Sequence, residues 1–286
     1  MTVPDRPGEP EGGVRISREL RVRIGSGVLV AAIGLFAVYW GAAPFAILLT
    51  VVASVMSWEW GRLVWQEAPF SIVVVHVAAV LVASVLTSIA MSGAALAALA
   101  GGTAIVAIMS RRSGRAALSS LGVGYTGLPV VALGFMRNDP SLGFLAVLFI
   151  LLAVIATDTA AFFAGRGIGG AKLWPSVSPN KTWSGLLGGI TAGAIMGLVF
   201  PLLTGSGLSA WLAPLGLSLG FVAQAGDLAE SALKRHAGVK DASDLIPGHG
   251  GFMDRMDGVV TASIFAALTA YLIEPSLPGR ALLYGS

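Results

Sequence analysis

Nine long apolar runs constrain the fold of this sequence more than any other feature. They lie near residues 24–40, 43–58, 70–91, 93–109, 117–136, 142–163, 184–204, 208–228 and 258–273. Most of them approach the roughly 20 residues that an α-helix needs to cross the hydrocarbon core of a bilayer. Only 12% of the residues are charged, whereas a soluble domain carries about 25%. The sequence therefore predicts an all-α, polytopic integral membrane protein with about nine transmembrane helices.

The distribution of lysine and arginine predicts how these helices are oriented. With nine spans and a cytoplasmic N-terminus, all but two of the 18 Lys and Arg residues fall on the cytoplasmic side. The exceptions are Arg137 and Arg280. Positive charge concentrates in cytoplasmic loops of membrane proteins, so this split supports both the number of spans and their orientation. The C-terminus is then expected on the outer side.

The polar parts of the sequence divide into a tail and two loops. Residues 1–14 are rich in Pro and Gly and predict a disordered cytoplasmic tail. Residues 15–286 are expected to form a single transmembrane catalytic domain, with long cytoplasmic loops at 164–183 and 229–257. The net charge of +3 indicates loops near anionic lipid rather than a nucleic-acid partner. The chain has no cysteine, which excludes disulfides.

The second loop and its flanks hold the strongest candidate site. Asp227 and Glu230 lie three residues apart at the end of the eighth apolar run, and this spacing places them on one helix face. Asp254 and Asp257 repeat the spacing at the start of the ninth run. Two such carboxylate pairs would repel each other unless a cation lay between them. Oxygen ligands without cysteine or a histidine pair favour Mg²⁺ over Zn²⁺. The alternative is a solvated charged loop.

Basic residues are interleaved with these carboxylates and suit phosphate oxygens. They are Lys234, Arg235, Lys240 and Arg255. In the first loop, Ser178, Lys181 and Thr182 precede the seventh apolar run, where helix N-terminal amides favour an anion. The alternative there is a capped helix end without a ligand. Magnesium and basic groups at a bilayer surface indicate phosphoryl or nucleotidyl transfer to a lipid.

Two further features leave alternatives open. Asp158 lies inside the sixth apolar run, where an ionisable group is a functional candidate, although pairing with a neighbouring Lys or Arg explains it as well. Glu59 is more peripheral, and pairing with Arg62 explains it equally well. Four glycines spaced four residues apart indicate close helix packing within the monomer, with a homodimer contact as the alternative. These glycines are Gly185, Gly189, Gly193 and Gly197.

Residues 231–257 resemble the signature of the phosphatidate cytidylyltransferases, the CDP-diacylglycerol synthases. The matching residues are Ser231, Leu233, Lys234, Arg235, Lys240, Asp241, Ser243, Pro247, His249, Gly250, Gly251, Phe252, Asp254, Arg255, Met256 and Asp257. Similarity to the family extends upstream to residues 224–227 and 178–182, to Asp158, to Gly165-Arg166 and to Glu59-Trp60. Ser184 is a departure, because the family is expected to carry Glu there more often.

The resemblance implies a reaction in which CTP and phosphatidic acid give CDP-diacylglycerol and pyrophosphate, with Mg²⁺ and a second cation such as K⁺. It implies a multi-pass protein of the cell (inner) membrane with a cytoplasmic active site. The expected catalytic residues are Asp227, Lys234, Arg235, Asp254, Arg255 and Asp257, of which Asp227, Asp254 and Asp257 are the expected metal ligands. Expected substrate-binding residues are Ser178, Lys181, Thr182, Ser231, Lys240, His249, Gly250 and Gly251. Secondary candidates are Asp158, Glu230 and Asp241.

Two other functions are consistent with parts of the sequence. A related lipid cytidylyltransferase or a polyprenol kinase would share the nucleotide and the metal but differ in the acceptor lipid. A cation-coupled transporter would use Asp158 and the acidic helix ends. Transporters usually carry repeated halves and a site at the middle of the bilayer, whereas the charges of this sequence cluster on one side.

Overall fold

A computed structural model of the chain describes residues 27, 29, 32–205, 207, 210–243, 245 and 250–286. The described part is nearly all-α, as predicted, and contains one small β-hairpin. In chain order the elements are α1 (32–40), α2 (Ala42–Trp65), α3 (Phe70–Ser88), α4 (Ser92–Ser110), α5 (Ala116–Arg137), α6 (Gly143–Gly167), β1 (Lys172–Trp174), β2 (Ser178–Thr182), α7 (Trp183–Thr204), α8 (Leu212–His236), α9 (Met253–Ile273) and α10 (Pro278–Tyr284).

Eight helices of the described part, α2 to α9, are long and apolar enough to cross a membrane. Large apolar side chains cover their outer faces, and Phe70 and Leu202 are 83% and 81% exposed. Because contiguous apolar surface of this kind is stable against hydrocarbon but not against water, the protein is a multi-pass membrane protein. The first predicted span, 24–40, lies partly outside the described residues, and the predicted tail, 1–14, lies wholly outside them. A ninth span therefore stays a prediction.

Helix α5 lies at the centre of the bundle. Of the residues in its membrane-spanning stretch, 61% are buried inside the protein, the largest share among the eight candidate spans of the described chain. It packs against α2, α3 and α4 and also against α6 and α9. Trp60 of α2 donates its indole N–H to the carbonyl oxygen of Leu118 at 2.8 Å. A Cβ at Gly122 would lie 2.3 Å from the same indole ring, so only glycine fits beneath it.

Four helices extend beyond the apolar runs that predicted them. Helix α2 continues to Trp65, α6 to Gly167 and α8 to His236, and α9 already begins at Met253. The predicted loops 164–183 and 229–257 are therefore shorter than expected, because helix occupies part of each. Hydropathy marks where apolar side chains stop. The helix itself continues where backbone hydrogen bonds are supported by side-chain pairs four residues apart, such as Glu230 and Lys234.

The first polar segment contains the β-hairpin, which the all-α prediction did not include. Its strands are antiparallel, with Lys172 opposite Thr182 and Trp174 opposite Ser178. Thr182 also caps α7, because its Oγ1 accepts a hydrogen bond from the amide of Gly185 at 3.1 Å. Satisfying one of the free amides at a helix start is the usual role of a threonine in this position. The cap that the alternative interpretation requires is therefore present, and the anion site at this helix end stays a prediction.

The glycines of α7 pack against neighbouring helices of the same chain. All four of the glycines spaced four apart are buried. A Cβ at Gly193 would lie 2.4 Å from the carbonyl oxygen of Gly216 in α8, and one at Gly189 would lie 2.9 Å from that of Thr157 in α6. The backbones of α6, α7 and α8 therefore approach too closely for any larger residue. The predicted packing role within the monomer is confirmed, and a homodimer stays a prediction.

At the other end of the bundle from the hairpin, Asp139 joins the α5–α6 connection to the short helix α10. Its Oδ1 accepts hydrogen bonds from the amides of Ser141 and Leu142, at 3.0 and 2.8 Å. Its Oδ2 accepts from the amides of Gly279 and Arg280, at 3.0 and 3.3 Å. Burial alone raises the pKa of the Asp139 carboxyl, but the hydrogen bonds to its charged form outweigh burial and hold the pKa below its usual value.

The close approach of α7 and α8 predicts the effect of Gly193→Ala. The added methyl group must displace the backbone of α8, so we expect a loss of about 1–3 kcal/mol in the free energy of unfolding. Thermal unfolding in detergent measures the loss. Gly101→Ala in α4 is the matched control, because nothing lies within 4 Å of its added Cβ. It should be neutral or slightly stabilising, and equal melting temperatures for the two variants would contradict the packing.

The bonding of Asp139 predicts a pH-dependent loss in Asp139→Asn. The new NH₂ group would face backbone donors, so we expect about 1–3 kcal/mol of destabilisation at neutral pH. Because the folded-state pKa is lowered, the wild-type advantage is complete above the ordinary value of about 3.9. The advantage is lost as the pH falls through the folded-state pKa. Melting temperatures of both proteins across acidic pH test this, and parallel curves would contradict it.

Candidate active site

A polar cavity of about 780 Å³ lies where the β-hairpin and helices α6, α7, α8 and α9 meet. The cavity is lined by both signs of charge at one end of an otherwise apolar bundle. Its acidic residues are Asp158, Asp227, Asp254 and Asp257, and its basic residues are Arg166, Lys172, Lys181 and Arg255. The arrangement therefore presents groups for a cation and groups for an anion on the same surface.

The acidic side of the cavity is assembled from three helices. Asp158 of α6 accepts a hydrogen bond from Nε2 of Gln224 in α8, at 3.1 Å. Asp257, one turn into α9, accepts from the amide of Gly258 at 2.7 Å. Asp227 of α8 accepts from the hydroxyl of Ser231 at 3.3 Å. Carboxylates from different helices thus converge on one space, as the sequence predicted for Asp227 and Asp257.

Lys181 links the hairpin to the acidic side of the cavity. Its Nζ lies 2.5 Å from Oδ2 of Asp227, and the two side chains are 19% and 30% exposed. The hairpin thereby places its ammonium group directly beside Asp227. Although the two side chains are partly exposed, the Nζ atom of Lys181 is itself buried and makes no well-aligned hydrogen bond. It is therefore a donor without a satisfied partner at the edge of the cavity.

Lys234 does not line the cavity but lies in a buried network beneath it. Its Nζ is ion-paired with Oε1 of Glu230 at 3.1 Å and with Oδ1 of Asp254. The hydroxyl of Tyr125 in α5 donates to the other oxygen of Glu230. The side chain of Glu230 is 0% exposed, so it does not share the cavity-facing side of α8 with Asp227. Its partners are Tyr125 and Lys234 rather than a group of the cavity lining, and the secondary candidacy of Glu230 stays a prediction.

Asp254 lines the cavity and also holds the loop that precedes α9. Its Oδ2 accepts hydrogen bonds from the amides of Ala242 and Gly251, at 3.0 and 2.9 Å. Its Oδ1 is paired with Lys234. Both oxygens therefore have protein partners, in contrast to a carboxylate that faces only the cavity. Asp254 thus fixes the start of α9 whether or not it also contacts a ligand.

The other predicted residues lie around the cavity rather than on it. Arg235 donates to the carbonyl oxygens of Val177 and Val239, at 3.3 and 3.0 Å, and so fastens the hairpin turn to the end of α8. Lys240 and Asp241 line a second cavity of about 710 Å³ on the side of the loop that faces α2. The predicted residues that the cavity lining does not include are Ser178, Ser231, Lys234, Arg235, Lys240, Glu230, Asp241, Gly250 and Gly251. His249 lies outside the described residues.

Comparison with known proteins shows the family of the chain. Residues 21–273 match the profile described as the cytidylyltransferase family. The chain is 35% identical to a phosphatidate cytidylyltransferase of Brucella suis biovar 1 (strain 1330), over 91% of this chain and 96% of that protein. It is 31% identical to a phosphatidate cytidylyltransferase of Bacillus subtilis (strain 168), over 84% and 93%. The chain belongs to the cytidylyltransferase family.

The family match, over residues 21–273, includes all the helices and strands that line the cavity. A phosphatidate cytidylyltransferase of Staphylococcus saprophyticus is 40% identical over 143 residues, which are 50% of this chain and 54% of that protein. The family resemblance drawn from residues 231–257 is thus confirmed.

Four residues with polar side chains line the cavity but are absent from the set predicted from the sequence. They are Arg166, Lys172, Asn180 and Gln224. Arg166, Asn180 and Gln224 lie in stretches that resemble the cytidylyltransferase family, so the family resemblance could have indicated them. It could not have indicated Lys172. Tyr125 gives no such signal, because a tyrosine in an apolar run is most often simply packed.

The buried network predicts the effect of Lys234→Met. Removing the ammonium leaves the buried carboxylates of Glu230 and Asp254 without their shared cation, so we expect about 3–5 kcal/mol of destabilisation. Thermal unfolding in detergent measures the loss. Lys240→Met is the matched control, because Lys240 is an exposed lysine of the same polar segment. Equal losses for the two variants would show that the network does not hold the helices together.

Proposed function

We propose that this member of the cytidylyltransferase family transfers CMP from CTP to phosphatidic acid, giving CDP-diacylglycerol and pyrophosphate. The observation that carries the proposal is a cavity of opposed charges at one end of a membrane-spanning bundle. A water-soluble nucleotide and a lipid head group can meet there. The relatives from Brucella suis and Bacillus subtilis, which align with most of this chain, are named for this activity.

The proposed reaction is a direct in-line displacement. A phosphate oxygen of phosphatidate attacks the α-phosphorus of CTP and forms a new P–O bond. The bond between that phosphorus and the oxygen that bridges to the β-phosphate breaks, and pyrophosphate leaves with the electron pair. The attacking phosphate monoester is already ionised near neutral pH, so no covalent enzyme intermediate is needed.

Repulsion between the two anionic substrates is the main barrier, and cationic side chains lower it. Lys181, Arg166 and Lys172 come from the hairpin and the adjoining end of α6, and Arg255 comes from α9. We assign these four residues to the phosphate groups of CTP and phosphatidate. The ammonium of Lys181, which pairs with Asp227 but has no well-aligned hydrogen-bond acceptor, would donate to a phosphate oxygen.

Mg²⁺ is the cofactor that the donor set fits. The carboxylates that line the cavity offer only oxygen ligands, which Mg²⁺ prefers. Within the described ranges, no group of three or more His, Cys, Asp or Glu side chains is close enough together to hold a metal ion. Mg²⁺ is commonly bound by one or two carboxylates together with substrate phosphates and water. We therefore assign it to Asp227 and Asp257, with Asp254 as a third candidate, and a bound ion would neutralise phosphate charge.

The side of the membrane follows from the distribution of charge. The cavity lies at the face that carries Arg62, Arg111, Arg112 and Arg115 as well as the basic residues of the site. Cytoplasmic faces of membrane proteins carry such an excess of Lys and Arg. We therefore assign the cavity to the cytoplasmic face of the cell (inner) membrane, where CTP is available.

The assignment predicts that Asp257→Asn loses activity without unfolding. We expect kcat to fall about 100-fold or more, because the variant weakens the pair of carboxylates assigned to Mg²⁺, whose charge would offset that of the phosphates. Incorporation of radiolabelled CTP into phosphatidic acid by purified protein, with and without Mg²⁺, measures the rate. Glu274→Gln is the control, since Glu274 is a partly exposed residue just beyond the far end of α9, where its carboxylate accepts hydrogen bonds from Ser276.

Acceptor lipids separate this function from its alternatives. Polyprenol and other lipid phosphates are offered in place of phosphatidic acid, and label is expected only in CDP-diacylglycerol. Label in a different lipid, or none in any lipid, would contradict the proposed function. Wild-type activity in Asp257→Asn would remove Asp257 from the mechanism.

A further inference from the structure

Glu59 is a fully buried carboxylate that does not line the cavity. It lies near the end of α2 and is 0% exposed, yet the reacting groups assigned above belong to the hairpin and to helices α6, α8 and α9. The guanidinium of Arg62, the partner considered from the sequence, lies 5.0 Å from the ring centroid of Trp58 instead. A buried carboxylate is costly unless hydrogen-bonded groups compensate it, so its partners indicate its role.

All the described hydrogen bonds to Glu59 come from the segment that leads into α9. Its Oε1 accepts from the hydroxyl of Ser243 at 2.5 Å and from the amide of Phe252 at 3.0 Å. Its Oε2 accepts from the amide of Met253 at 2.8 Å. Phe252 occupies the N-cap position of α9 and offers no side-chain cap. Glu59 therefore supplies, from another helix, the acceptor that the first amides of α9 lack.

The position of Gly251 shows how closely the Glu59 carboxylate packs against the backbone that leads into α9. A Cβ at Gly251 would lie 2.6 Å from Oε1 of Glu59 and 3.1 Å from Oδ2 of Asp254. The backbone of Gly251 thus passes between two carboxylates, one from α2 and one from α9. Each carboxylate also accepts amide hydrogens of the same loop. Glycine at this position lets both carboxylates keep their donors, because a side chain would displace at least the Glu59 carboxylate.

We propose that Glu59 is a positioning residue for the cytidylyl transfer. By capping α9 from α2, it sets the position and rotation of the helical turn that presents Asp254, Arg255 and Asp257 to the cavity. This inference rests on the proposed function, since it concerns the same reaction. Residues that orient ligating or reacting groups typically change activity about 10–100-fold when they are replaced.

The test compares Glu59→Gln with Glu67→Gln. Glutamine keeps the size of Glu59, but its NH₂ group would face an N–H or O–H donor at the start of α9. Glu67 is an exposed glutamate just beyond the same helix, so its variant controls for the loss of one charge. We expect kcat of Glu59→Gln to fall about 10–100-fold, with a smaller change in KM for CTP, and Glu67→Gln to behave as wild type.

Amide hydrogen exchange supplies a readout that does not depend on activity. In Glu59→Gln the amides of residues 251–254 should exchange faster, whereas those of α6 and α7 should keep their wild-type rates. A wild-type protein that transfers no CMP would refute the proposed function, but the exchange measurement would still decide whether Glu59 caps α9. A uniform rise in exchange with unchanged kcat would show a purely structural role and overturn the proposal.

Ser243→Ala keeps the proposal testable if Glu59→Gln does not fold. It removes only one hydrogen bond to Glu59 and should produce smaller changes in the same direction. Unchanged kcat and unchanged exchange at residues 251–254 in the variants that fold would overturn the proposal.

Discussion

Charged groups close to hydrocarbon must be compensated inside the protein, and the buried network of Glu230, Lys234 and Asp254 meets this requirement where the helices converge. Tyr125 extends the network to α5, the most buried span of the described chain. Asp254 extends it to the loop before α9 through the amides of Ala242 and Gly251. Three helices are thereby held in one relative position. The carboxylates that face the cavity depend on that position, because α8 and α9 carry most of them.

Much of the architecture could be predicted from the sequence. Apolar runs located the spans of the described chain to within a few residues at most ends, because burial in hydrocarbon demands apolar side chains over a full helix length. The glycines of α7 revealed its close packing, and the acidic helix ends revealed the cavity. The signature at residues 231–257 indicated the family, which the comparisons confirm.

Details that depend on tertiary partners could not be predicted in the same way. Spacing placed Asp227 and Glu230 on one face of α8, but a helix face is wide enough for one to meet the cavity and the other to meet Tyr125. Charge alone suggested that Lys234 binds phosphate, whereas buried carboxylates surround its ammonium. The β-hairpin depends on pairing within a short polar segment that has little alternating apolar pattern to predict strands.

Protection of an introduced cysteine tests most directly whether the charged cavity binds the nucleotide. The chain has no native cysteine, so Leu173→Cys at the cavity and Leu245→Cys at the second cavity each provide one labelling site. The rate of maleimide labelling is measured in purified protein with and without CTP and Mg²⁺. The account predicts that CTP slows labelling at position 173 and leaves position 245 unchanged. Equal rates at position 173 with and without CTP would contradict it.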